Sequence, residues 1–159
     1  MEIFLLYMDG GCSFIDYKHF KNSSNILLNK CELLNSDRFI AININGMKNN
    51  IKIQIRKELL NDLELINDTY FLNDFPHYQS GIILLYKCEK SIQFVKDWYN
   101  MYNLYYKDVN FKRRDKRNQF KYFYGNNVDQ GFMQILLYKN KINILDFQEY
   151  KKYTKRIRH

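Results

Sequence analysis

Residues able to do chemistry fall at three places along the chain. Asp9 closes the apolar run Ile3-Phe4-Leu5-Leu6-Tyr7-Met8 and is followed by Gly10, Gly11 and Cys12. A short continuous apolar run ending in a turn signal fits a strand covered on both faces, as in a parallel sheet. In open α/β sheets, ligands sit just beyond the carboxyl ends of the strands, where Asp9 would lie. Gly10 and Gly11 leave room for a ligand or for unusual backbone angles. An acid here can equally well do no more than cap the turn. Gln79, Ser80 and Gly81 open a second apolar run, Ile82 to Tyr86. A glycine at such an entry marks close backbone approach or serves packing alone. Asp129 and Gln130 follow the turn signal Gly125-Asn126-Asn127 and open a helical pattern. An acid in a first helical turn complements the helix dipole, and the free amides beside it can face a ligand.

The elements that must position these groups follow from periodicity. Residues 3–8 and 80–86 are expected to lie as strands in one central sheet. Residues 17–35 carry a helical pattern broken near Asn22-Ser23-Ser24, with His19 a lone histidine beside the Asp9 loop. Residues 38–44 alternate as a strand and end in the turn Asn45-Gly46. Ile51, Ile53 and Ile55 alternate like a strand, whereas from about Arg56 the leucines suit an amphipathic helix. Asp74 to Tyr78 reads as a loop, with Pro76 holding Phe75 extended. Residues 89–106 form the clearest helix, with Ile92, Val95, Trp98, Tyr99, Tyr102 and Tyr105 at three- and four-residue steps. Residues 107–125 read as a basic-aromatic loop. A helix is expected from Val128 through Tyr138, a short strand from Ile142 to Leu145, and a fraying basic tail over 151–159.

Composition narrows the class. The chain has 159 residues, 46% hydrophobic and 17% aromatic, which excludes a disordered chain and allows a real core. The formal charge of +8 fits nucleic acid, an anionic membrane or a phosphorylated ligand. Lys, Asn, Ile and Tyr are abundant together, so codon bias accounts for part of that charge. Cys12, Cys31 and Cys88 form no C-x-x-C pair, so neither a zinc site nor a disulfide framework is indicated. Reduced thiols in a cytoplasmic setting fit best. There is no G-x-x-x-x-G-K-[ST], no G-x-G-x-x-G and no H-E-x-x-H.

Three segments carry a resemblance. Tyr7-Met8-Asp9-Gly10-Gly11-Cys12 is similar to the "YLDAGC" segment of GT-A-like glycosyltransferases that build capsular and surface polysaccharides. Tyr78-Gln79-Ser80-Gly81-Ile82-Ile83-Leu84-Leu85 resembles the family's "Q-x-x-G-I-I-L" strand, which precedes a helix carrying a Trp, here Trp98. Asn127-Val128-Asp129-Gln130-Gly131-Phe132 resembles its "H-D-Q-S" segment, with Val128 in place of the histidine and Gly131 in place of the small polar residue. The three occur in the family's order and span about residues 3 to 147.

The resemblance implies an α/β, GT-A-like (Rossmann-like) mixed sheet flanked by helices. It covers only the C-terminal part of the family's domain, so the N-terminal nucleotide-binding part is expected to be missing. On this reading residues 1–150 are a partial transferase domain and 151–159 a basic tail. The implied activity moves a sugar from a nucleotide-sugar donor to a glycan or lipid-linked acceptor. Asp9, Gly10, Gly11, Gln79, Ser80 and Gly81 would bind the donor, and Asp129 and Gln130 would be catalytic. A divalent cation, Mn or Mg, would be held by Asp9, although the second acid of a D-x-D motif is absent. The basic loop would touch a membrane surface. Two competing readings are a truncated homologue without turnover and a basic nucleic-acid-binding domain using residues 107–125. No RRM, KH, zinc-finger or helix-turn-helix signature supports the second, so nucleic acid is not the expected partner.

Overall fold

The computed structural model describes residues 4–8, 12–14, 18, 22, 40–45, 50–112, 117–125, 128–146 and 154–156. In chain order the elements are β1 (Phe4–Met8), β2 (Cys12–Phe14), β3 (Ile40–Asn45), α1 (Asn50–Gln54), α2 (Lys57–Asp62) and α3 (Thr69–Asn73). They continue as β4 (His77–Tyr86), α4 (Glu89–Lys112), α5 (Val128–Lys139), β5 (Ile144–Asp146) and β6 (Thr154–Arg156). The fold is a mixture of helix and strand. The chain divides into two compact units: Met1–Ile44, Tyr78–Val95 and Lys141–His159 form the first, Asn45–His77 and Lys96–Asn140 the second.

The first unit is built on a four-stranded sheet of order β1-β4-β3-β5. Both long apolar runs are therefore strands of one sheet, as expected. β1 pairs with β4 antiparallel, from Phe4 opposite Tyr86 to Met8 opposite Ile82, so the expected parallel arrangement does not hold for this pair. An unbroken apolar run reports only that both faces are covered, which either strand direction permits. Ile83, Leu84 and Leu85 are buried in succession, and successive side chains point to opposite faces. β3 and β5 are parallel, with Ile40 opposite Ile144. The sheet is therefore mixed. β1 is a terminal strand with one partner among the described strands.

Several local expectations change. Residues 51–54 are helical, so the alternation of Ile51, Ile53 and Ile55 does not mark a strand. Ile51 and Ile55 are both buried at a four-residue step, which is hidden inside the Ile51-Ile53-Ile55 alternation. His77 and Tyr78 belong to β4 and not to the preceding loop. α4 runs on to Lys112, so the first six residues of the expected basic loop are helix. Residues 154–156 of the expected frayed tail pair with β2, Arg156 opposite Cys12. The helical expectation for 17–35 lies outside the described residues apart from positions 18 and 22.

The second unit is helical around one apolar cluster. Ile51 and Ile55, Leu59 and Leu60 of α2, Leu65, Phe71 and Leu72 of α3, and Phe132 and Ile135 of α5 fill it. Trp98, Met101 and Tyr105 of α4 pack on it at three- and four-residue steps. Asp68 caps α3 by accepting from the Phe71 amide at 2.9 Å, and its other carboxylate oxygen accepts from Tyr138 Oη of α5 at 2.5 Å. One acid thus fixes a helix start and ties it to a second helix. Phe71 and Tyr138 stack nearby with ring centroids 4.7 Å apart.

α2 ends in a Schellman motif. The Leu65 amide donates to the Leu60 carbonyl at 2.7 Å and the Glu64 amide to the Asn61 carbonyl at 3.0 Å. Leu60 and Leu65 are both buried in the core, supplying the usual hydrophobic contact across the motif. The left-handed position is Glu64, with φ 60°, where glycine would carry no steric penalty. Glu64→Gly is expected to raise stability by roughly 1 kcal/mol. A rise in the thermal midpoint checks this, and a fall would show that the Glu64 side chain has its own role.

Candidate functional site

The first turn of α5 is the one sequence-predicted site whose surroundings are described. Its placement depends on three contacts inside the second unit. The Trp98 indole N–H of α4 donates to the Asp129 main-chain carbonyl at 3.0 Å. That bond ties the aromatic helix of the second resembling segment to the third. Gly131 faces α1. A Cβ at this position would lie 3.1 Å from Ile55 Cγ1, closer than ordinary contact. Glycine here lets α5 approach the buried Ile55, which gives a packing reason for a residue without a side chain at this point of the motif.

The third contact was not visible in the sequence. The Gln130 side chain turns inward, and its Nε2 lies 3.0 Å from His77 Nε2. The same ring nitrogen lies 2.9 Å from Gln54 Oε1 of α1. His77, at 4% exposure, is the first residue of β4 and the only residue of that strand in the second unit. A buried imidazole therefore stands between the side-chain amides of Gln54 and Gln130.

The chemistry of that bridge follows from proton bookkeeping. A ring nitrogen carries either a hydrogen or a lone pair. Carrying the hydrogen, Nε2 donates to Gln54 Oε1; carrying the lone pair, it accepts from the Gln130 amide. Nδ1 is buried and has no hydrogen-bond partner. A buried N–H without an acceptor is costlier than a bare lone pair, which favours hydrogen on Nε2. An imidazolium would need acceptors at both nitrogens and would also bury its charge. Burial accordingly pushes the His77 pKa down from 6.5 to about 4. With hydrogen on Nε2 the ring bonds Gln54 and only packs against Gln130, and at neutral pH so weak a base is not suited to taking a proton from a substrate.

The other predicted residues divide as follows. Asp9, Gly10 and Gly11, with the metal expected on Asp9, lie outside the described residues, as does His19. Gln79, Ser80 and Gly81 lie on β4 within the first unit, whereas Asp129 and Gln130 belong to the second. Asp129 is half-buried in the first turn of α5. Among the described residues no three His, Cys, Asp or Glu side chains gather as metal ligands. Asp129 alone offers one carboxylate where a hard divalent cation takes six or more oxygens. No described helix is long and apolar enough to cross a membrane. Comparison with family models, with curated proteins and with solved structures gives no match.

The His77 bridge makes the fold sensitive to acid. Because burial depresses the folded-state pKa, the unfolded chain takes up its proton first. The neutral bridge contributes fully above about 6.5, and its contribution is lost as pH falls to about 4. The shift corresponds to a loss on the order of 3 kcal/mol across that window. Denaturant midpoints measured from neutral to acid pH should fall steeply for the natural chain. His77→Gln, which keeps a polar neutral side chain, should flatten the profile. An equally steep profile in His77→Gln would assign the acid sensitivity to other groups.

Proposed function

We propose that the chain is a homologue of the glycosyltransferases that build capsular and surface polysaccharides, and that the first turn of α5 meets the donor sugar of a nucleotide sugar. The observation that supports this reading is the Trp98 indole bond to the Asp129 carbonyl, which joins the helical Trp of the resemblance to its third segment within one packed unit. The carboxylate of Asp129 then stands in the first turn of a twelve-residue helix, among amides without helical partners.

Roles follow from burial. The Gln130 side chain is buried against His77, so it sets the pose of the turn and leaves the sugar hydroxyls to Asp129. His77, with its pKa pushed down to about 4, leaves acceptor deprotonation to a carboxylate, and Asp129 is the candidate. On the resemblance alone, Asp9, Gly10, Gly11, Gln79, Ser80 and Gly81 would bind the donor. The leaving diphosphate would be neutralised by basic side chains or by a divalent cation, Mn or Mg.

The test is ligand-induced stabilisation. The full chain is heated with UDP-, GDP- and CMP-linked sugars and with the free nucleotides, each with and without Mn²⁺. One nucleotide sugar should raise the midpoint more than its free nucleotide does. Asp129→Asn should weaken that nucleotide sugar by about tenfold or more, as loss of a charged hydrogen-bond partner does, while the free nucleotide binds as before. No stabilisation by any sugar nucleotide, or an Asp129→Asn variant that binds unchanged, would overturn the proposal.

A further inference from the structure

Residues 117–125 of the second unit are held firmly at their base and present aromatic rings at their tip. The base has several anchors. Gln119 Nε2 donates to both carboxylate oxygens of Glu58, at 3.0 and 2.8 Å, and Gln119 Oε1 accepts from the Lys57 amide at 2.9 Å. Lys57 Nζ lies over the Phe120 ring, 4.8 Å from its centroid. The Phe123 amide donates to the Phe120 carbonyl at 2.9 Å, and the Tyr124 amide to the Ile53 carbonyl at 3.0 Å. Phe123 is buried, at 3% exposure. Asn118 turns the chain with φ 60°, a conformation that asparagine tolerates.

On this fixed base Tyr122 is 74% and Tyr124 83% exposed. Nothing in the packing of the unit requires two tyrosines to stand in water. Lys121 Nζ lies over the Tyr122 ring, 5.4 Å from its centroid, which places a cation beside the first of them. Arg117 is exposed at the start of the segment. In the sequence the segment also ends a strongly basic stretch: residues 107–121 hold seven Lys or Arg against two Asp.

We infer that residues 117–125 dock the chain on an anionic lipid bilayer, with Tyr122 and Tyr124 entering the headgroup layer and Lys121 and Arg117 meeting lipid phosphates. The argument is one of shape and charge. Tyrosine has an apolar body and a polar tip, and it favours the boundary between apolar and wet regions. Basic residues beside such a boundary gain from an anionic leaflet, roughly 1 kcal/mol each near the surface. A base-stacking site pairs its rings with a groove that tracks the strand, whereas a bilayer surface asks only for exposed rings beside cations. The inference rests on the proposed function only in giving the docking a purpose, since a lipid-linked acceptor would lie on the same surface.

Sedimentation with vesicles tests it without any nucleotide sugar, so its failure is separate from failure of the proposed activity. The full chain is mixed with vesicles of phosphatidylcholine alone, or of three parts phosphatidylcholine to one part phosphatidylglycerol. Binding to the second and not to the first is expected, and it should weaken with added salt. Tyr122→Ala with Tyr124→Ala, and separately Lys121→Glu, should each lower the partition coefficient by about tenfold while the thermal midpoint stays unchanged. No binding to anionic vesicles would overturn the inference, as would binding that the tyrosine substitutions leave intact. Salt-sensitive binding to a single-stranded oligonucleotide with no vesicle binding would overturn it in favour of a nucleic-acid surface.

Discussion

A neutral imidazole sealed among amides is the constraint on which the second unit depends. His77 is buried where its positive form would lose both hydration and a partner for Nδ1. Its remaining nitrogen faces both Gln54 of α1 and Gln130 of α5, and with hydrogen on Nε2 it bonds Gln54. Buried polar networks of this kind are stabilising only when their members stay satisfied. The buried Gln130 and the close approach of Gly131 to Ile55 hold the first turn of α5 in place. The first turn of α5 inherits that rigidity, and Asp129 with it.

Other polar anchors in the unit act in the same way. Asp68 begins α3 and receives the Tyr138 hydroxyl of α5. Trp98 holds the Asp129 carbonyl from α4. Asp68 and Asp129 both stand at helix starts, and the apolar cluster of isoleucines, leucines and phenylalanines fills the space between the helices. The turn of α5 is thus held by Trp98 of α4 and by the close approach of Gly131 to Ile55. A carboxylate on so fixed a turn suits recognition of a ligand whose hydroxyls need a set geometry.

What could be read from the sequence was local. The apolar runs of β1 and β4, the aromatic steps of α4 and the start of α5 each carry their own periodicity. Strand direction was not legible, because Ile3 to Met8 reports covered faces and not the neighbour's heading. α1 was ambiguous because Ile51, Ile53 and Ile55 satisfy a two-residue and a four-residue period together. α3 is only five residues long, too short for a period, although Asp68 before Thr69 is a cap signal. The His77 bridge left no local trace. Its partners are 23 and 53 residues away, and a histidine following Pro76 looks like any loop residue. Trp98 was legible as a motif position, but its bond to Asp129 required the packing of two helices.

The state of the His77 ring tests this account most directly. Nitrogen-15 spectra of the imidazole, followed from neutral pH downward, distinguish a protonated from a bare ring nitrogen at this one residue. The account predicts a neutral ring with hydrogen on Nε2 and no titration near the ordinary value of 6.5, protonation coming only at about 4. A His77 ring that titrates near 6.5 in the folded chain would contradict it, because a charged imidazole could not remain sealed between Gln54 and Gln130.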